Sequence, residues 1–313
     1  MKEFDRKNKF LHEMNKNKVL YLMALPGMAV TLLMSYIPMS GLILAFKNFR
    51  YDAGIFGSPW AANYGFDNFR FFFISGTGMR VTVNTILYNL LNITISQFLS
   101  IAVALLLCEI TKKGFKKVSQ SVIFLPYFIS WTVVGAFIYN MFDSRKGWFN
   151  HMLTTLGAEP IDMYLIPWVW VFIICFFNSW KWVGYGSVIY IAAISGIDVQ
   201  CYEAAALDGA TVWQKMRYIT LPGIKNTIVI VLLLNLGRIM RGDFQMFYQI
   251  IGNNGQLFKT TDVIDTFVFR SLINSGDLGM TAAAAFYQSF FCFIIIITVN
   301  SLIKRYEPEY ALF

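Results

Sequence analysis

Long apolar runs separated by short polar stretches set the rhythm of this chain. Six runs are long enough to cross a membrane as helices, approximately Val19–Phe46, Val81–Cys108, Val118–Phe142, Leu165–Ser195, Ile224–Phe247 and Thr281–Ile303. A bilayer core of about 30 Å needs about 20 mostly apolar residues in a helix. The pattern therefore predicts an all-α, polytopic membrane bundle of six transmembrane helices, with a polar tail at 1–18 and one membrane domain at 19–313. The first run is too long for the core of a signal peptide and no small-residue cleavage pattern follows it, so it is expected to be retained.

Composition agrees. The chain is 57% hydrophobic and 17% aromatic with 14% charged residues, against about 25% charged in an ordinary soluble domain. Its net charge of +8 follows from topology and anionic lipid, with no recognition motif for nucleic acid beside it. Basic residues cluster in the tail, at Lys112, Lys113, Lys116 and Lys117, at Lys215, Arg217 and Lys225, and at Lys304 and Arg305. They outnumber Lys47, Arg50, Arg70, Arg80, Arg145, Lys146, Lys259 and Arg270 on the opposite side. Cytoplasmic loops hold the excess of Lys and Arg, so both termini and the linker between the fourth and fifth runs are expected in the cytoplasm.

No catalytic or metal site is expected. Cys108, Cys175, Cys201 and Cys292 form no close-spaced pair, and His12 and His151 fall on opposite sides of the membrane. There is no Gly-x-Ser-x-Gly elbow and no phosphate-cradling Gly-rich loop with a following Lys. If ATP drives this protein, another chain binds it.

The linker, 196–223, is unusual for a solvated loop. Asp198 suits a cap for a short helix through Glu203-Ala-Ala-Ala-Leu-Asp208, and Gly209 stands where a left-handed terminator is expected. Thr211 and Gln214 have capping-box spacing, and Pro222 suits the first turn of the next helix. Val212, Trp213, Met216 and Ile219 recur at helical steps and predict one apolar face. Lipid, the chain's own bundle or a partner's groove would each cover such a face.

Glu203, Ala204, Ala205, Gly209, Ile219, Leu221 and Pro222 together give Glu-Ala-Ala, three residues, Gly, nine residues, Ile-x-Leu-Pro. This resembles the loop signature of the membrane (permease) subunits of bacterial ATP-binding-cassette importers. The resemblance implies that the loop is a coupling helix docking on a cytoplasmic ATPase dimer, with Glu203 in a charged contact, Asp208 and Trp213 in the same surface, and Gly209 at a bend. It also implies ATP-Mg held by the partner subunits and no cofactor in this chain. A second, similar permease, in most such relatives a different chain, and an extracellular solute-binding protein are implied partners, in a bacterial cell membrane. Gly65 with Asn68-Phe69, Asn84-Thr85, Leu125-Pro126 and the run Asp262 to Arg270 resemble the sugar and oligosaccharide branch, especially subunits for complex or acidic glycans. That likeness extends from about Leu20 onward.

Candidate residues of a substrate path lie in three spans. Asn84, Tyr88, Asn92 and Ser96 repeat every four residues, a stripe costly against lipid that either bonds to neighbouring helices or meets sugar. Arg238, Arg241 and Gln245 are predicted to share a face of the fifth helix, either snorkelling outward or offering guanidinium forks to a sugar acid. Trp180 and Trp182 flank Lys181, as an interface anchor or as planes for sugar rings, and Gly184 and Gly186 behind them predict an interrupted helix. Aromatics from Phe49 to Phe73 crowd the first external loop. Rival readings are an importer of peptides or amino acids, a membrane enzyme acting on lipid-linked sugars, and a non-transporting scaffold. The enzyme would need a cluster of carboxylates or histidines at one membrane face.

Overall fold

The computed structural model describes residues 16–74 and 76–306, so most of the polar tail and the 307–313 end lie outside it, as do the side chains of Phe71 to Phe73. Among the described residues the structure is helical, with a single isolated bridge between Lys47 and Trp60. The helices are α1 (Lys18–Thr31), α2 (Thr77–Glu109), α3 (Lys113–Phe124), α4 (Trp131–Phe142), α5 (Pro167–Ser195), α6 (Val199–Leu207), α7 (Val212–Lys215), α8 (Lys225–Leu236), α9 (Phe244–Ile251), α10 (Ile264–Ser275) and α11 (Leu278–Tyr306), with shorter turns between them. Three stretches are each long and apolar enough to cross a membrane unbroken: Lys18–Phe46, Thr77–Glu109 and Leu278–Arg305. Counted as one span each, three bent helix pairs give up to six spans by length and composition.

The chain divides into two units. Residues 16–69 pack with Leu278–Phe286, where Phe46, Phe66, Phe69 and Phe286 meet ring against ring. Asn68 Nδ2 donates to the carbonyls of Ala45 and Lys47 at 3.0 Å.

The second unit, Arg70–Asp277 with Tyr287 onward, holds the larger core. Tyr88, Trp131, Ile138, Trp170, Ile174, Phe177, Met246 and Phe247 are buried together where α2, α4, α5 and α9 meet. A smaller cluster of Ala104, Tyr190, Ile194 and Ile224 joins α2 and α5 to the start of α8.

Three expectations about the spans are corrected. The third run is no straight helix: α3 runs into a tight turn at Leu125–Phe128, and α4 leaves at 90°. Pro126, which has no N–H to continue the helix, stands in that turn, and Ser130 Oγ accepts from Val133 N to start α4.

The fourth run is the reverse case, because α5 is continuous through Gly184 and Gly186. Those glycines open room between helices instead of breaking one. A Cβ on Gly186 would lie 2.5 Å from Ser100 Oγ of α2.

The fifth run breaks after Leu236, turns through Gly237 to Met240 and restarts as α9, which Asp243 caps by accepting from Met246 N at 3.1 Å. Arg238, Arg241 and Gln245 therefore share no helical face. Bare carbonyls at membrane depth must find donors. Asn89 supplies Ile239 and Arg241, Gln288 supplies Met240, and the Asp265 carboxylate takes the Gly242 N–H at 2.7 Å.

Candidate functional site

The linker folds much as its local chemistry dictates. Asp198 accepts from Gln200 N at 2.9 Å, and α6 ends with Gly209 at φ +75°. There Gly209 N reaches Ala206 O and Ala210 N reaches Ala205 O, the paired bonds that close a left-handed cap. Thr211 N and Gln214 Oε1 stand 2.7 Å apart, with Gln214 N returning to Thr211 Oγ1.

Beyond Lys215 the helix widens into a π turn, Met216–Thr220, with the Thr220 hydroxyl on the Lys215 carbonyl. That turn breaks the 3.6-residue period, so Val212, Trp213, Met216 and Ile219 do not form one face as predicted. Met216 is buried, whereas Trp213 is 77% exposed and Leu207 90%. Tyr202 and Thr220 are joined by a 3.0 Å hydrogen bond between their hydroxyls, tying α6 to the second half of the linker. Glu203, Ala204, Asp208 and Pro222 are exposed, and Ala205, Ile219 and Leu221 are half-buried.

The second feature is a cavity of about 520 Å³ in the larger unit, within the about 300–1,000 Å³ usual for small-molecule sites. Its polar wall comes from Asn92, Gln97, Asn178, Asn235 and Arg238, and its aromatic wall from Tyr127, Trp182 and Tyr185. Tyr127 stacks on Tyr185 at 4.7 Å and 14°, and meets Trp182 edge-on at 5.5 Å. Asn92 Oδ1, Gln97 Oε1 and Tyr190 OH, all from lining residues, are buried without a hydrogen-bond partner. Among the described lining residues Arg238 is the cation and none is acidic.

Of the predicted path residues, Asn92, Trp182 and Arg238 come together here. Ser96 lines the same wall and accepts from Asn178 Nδ2 at 3.3 Å. Asn84 instead bonds across to the carbonyls of Lys259 and Asp262, and Tyr88 is buried edge-on against Phe247. Trp180 faces a separate apolar groove with Val133, Phe137 and Phe176, and the side chains of Arg241 and Gln245 are exposed. Lys181 is buried and donates to backbone carbonyls. Tyr127, Asn178, Tyr185, Tyr190 and Asn235 were not singled out by the sequence for this role. Asn178, Trp182, Tyr185 and Ile189 recur at helical steps along α5, which is the signal that would have found that face.

Residues 98–308 match the family model described as binding-protein-dependent transport system inner membrane component. The chain is 31% identical over 297 residues to Protein LplB of Bacillus subtilis (strain 168), covering 95% of this chain and 92% of that one. It is also 31% identical over 306 residues to the polygalacturonan/rhamnogalacturonan transport system permease protein YteP of the same organism, covering 97% and 94%. Among solved structures it is similar to a bacterial ABC transporter involved in the import of the acidic polysaccharide alginate, with TM-score 0.84, 30% identity and coverage of 95% and 99%. A second structure of a bacterial alginate ABC transporter, in complex with alginate pentasaccharide-bound periplasmic protein, gives 0.83, 30%, 94% and 96%. A helical, multi-pass chain with this linker and this match along most of its length belongs to the binding-protein-dependent transport system inner membrane component family, the permeases of ABC importers.

Proposed function

We propose that this permease carries an acidic oligosaccharide through the 520 Å³ cavity, delivered by an extracellular solute-binding protein and driven by a cytoplasmic ATPase dimer that holds ATP-Mg. The cavity wall is the observation that carries this reading. The amide and hydroxyl side chains of that wall suit the hydroxyls of a sugar, the Tyr127, Trp182 and Tyr185 planes suit its apolar ring faces, and Arg238 suits its carboxylate. The relatives named for polygalacturonan/rhamnogalacturonan and alginate support an acidic glycan. In this reading the exposed Leu207 and Trp213, together with Glu203, are the surface offered to the ATPase, and the linker and both termini lie in the cytoplasm of a bacterial cell. The membrane path is shared with a second permease of different sequence.

The test is uptake by the importer, purified with its partner subunits through a tag on this chain and reconstituted in liposomes. Fluorescent oligogalacturonides and alginate oligosaccharides are expected to accumulate with ATP, ahead of maltotriose and of a tripeptide. Uptake of the tripeptide and of neither acidic glycan would overturn the reading in favour of another solute class.

A further inference from the structure

Lys181 stands at the middle of α5, only 6% exposed, at a depth where a charge is costly and its presence asks for a function. Lys181 is not among the residues lining the 520 Å³ cavity. It donates to the carbonyls of Pro126 and Tyr127, the latter at 3.0 Å, and to that of Ile129 in a short contact. The Pro126 carbonyl also accepts from Ile129 N at 3.1 Å, closing the turn where the third span bends by 90°, and carbonyls at the end of such a turn present the negative end of its dipole. An ammonium has three N–H bonds and no acceptor, which matches the three carbonyls.

The contact continues past the break. Lys181 Nζ lies 5.3 Å from the centre of the Trp131 ring, at the first residue of α4. Trp131 Nε1 donates to Asp243 Oδ2 at 3.0 Å, and Asp243 caps α9 just after the break in the fifth span. A cation, an indole and a carboxylate thus connect α5 to the restart points of both broken spans. The residue whose carbonyl Lys181 holds is Tyr127, whose ring forms the cavity wall with Trp182, the neighbour of Lys181 in sequence.

We propose that Lys181, acting through Trp131 and Asp243, is a positioning residue that fixes the two broken spans against α5 and so sets the place of Tyr127 in the transport cavity. The inference rests on that cavity being the substrate path.

Lys181→Met, Asp243→Asn, their combination and the milder Trp131→Phe, each in the complete importer, test it with a fluorescent oligogalacturonide as probe. Lys181→Met is expected to raise KM about tenfold or more at unchanged Vmax per assembled complex, as small misplacements at a site do. Trp131→Phe and Asp243→Asn shift KM the same way, the double variant is no worse than the worse single, and Lys181→Arg recovers part of the loss. Single effects that add in the double variant, or a lower melting temperature with KM unchanged, overturn the proposal. Should the wild type import no oligogalacturonide, the substrate reading fails by itself. Oxidative cross-linking of Tyr127→Cys with Tyr185→Cys, in a chain whose four native cysteines are replaced by Ala, then decides the positioning role. Lys181→Met is expected to slow that cross-link about tenfold, and an unchanged rate overturns the proposal.

Discussion

A Cβ placed on Gly184 of α5 would lie 2.1 Å from the carbonyl oxygen of Ile123 in α3. The two helices meet backbone to backbone, which is how small residues bring membrane helices together. Gly184→Ala would force α3 away from α5, against backbone that has no side-chain freedom to yield. A loss of about 3 kcal/mol is expected, the upper part of the overpacking range, seen as a lower melting temperature in detergent. Gly114→Ala, with nothing within 4 Å of its Cβ, is the control, expected to stay within about 0.5 kcal/mol.

The same glycine shows how far the linear pattern reaches. Asp198, Gly209, Thr211 and Gln214 find their partners within a few residues, so the caps of the linker could be read directly from the sequence. The six apolar runs were equally legible, since length and hydropathy decide them. The breaks within two of them were not, because distant residues satisfy the freed backbone: Lys181 reaches carbonyls 52 to 55 residues away, and Asn89 reaches one 150 away. Without those donors the apolar runs at 118–142 and 224–247 read as straight helices. Tyr127 was missed for the same reason, since it takes its place in the cavity wall only once the third span is broken.

Asn89 gives a direct measure of what a break requires. Its Nδ2 serves the carbonyls of Ile239 and Arg241 at 2.9 and 3.0 Å. Asn89→Leu keeps much of the volume and leaves both acceptors bare. The Ile239 bond is the more buried of the two, and an unsatisfied buried group costs about 1–3 kcal/mol, so a fall in melting temperature is expected, together with faster hydrogen exchange at 237–242. Equal exchange in variant and wild type would mean that water takes the place of the amide.

Glu203 is exposed on α6 beside Leu207, so reversing its charge should not disturb the fold. With Glu203→Lys the chain is expected to retain its melting temperature and the recovery of the proposed second permease. The ATPase recovered with it should fall about tenfold or more, since like charge at a docking site costs several kcal/mol. Mass spectrometry of the co-purified partners reads this. Full recovery of the ATPase would remove Glu203 from the docking surface.

Asp143, just past α4, accepts from the backbone N–H of Lys146 at 2.7 Å and of Arg145 at 2.9 Å. These bonds favour the carboxylate, the Lys146 one most, and hold its pKa below the ordinary 3.8. The group is depressed in the folded chain, so its contribution is complete above the unfolded value and is lost as pH falls through the folded one. Asp143→Asn should therefore melt slightly below wild type at pH 7, with the gap closing below about pH 3.8. A gap constant from pH 7 to pH 3 would assign the effect to something other than the charge.

Arg238 makes the sharpest demand on the proposed substrate. It follows the end of α8 by two residues and lines the cavity wall with Asn235, opposite no acidic partner among the lining residues. A charged hydrogen bond to a ligand carboxylate contributes about 1.5–3 kcal/mol, roughly a ten- to hundredfold change in affinity at 1.4 kcal/mol per decade. Arg238→Gln keeps a donor of similar reach and removes the charge. It should raise KM for oligogalacturonides by that factor while leaving uptake of their fully methyl-esterified forms within about twofold, because the ester has no charge for the guanidinium to meet. If esterified and free-acid forms lose equally, Arg238 supports the wall of the cavity and the acid preference has to come from elsewhere, with the solute-binding protein as the next place to measure it.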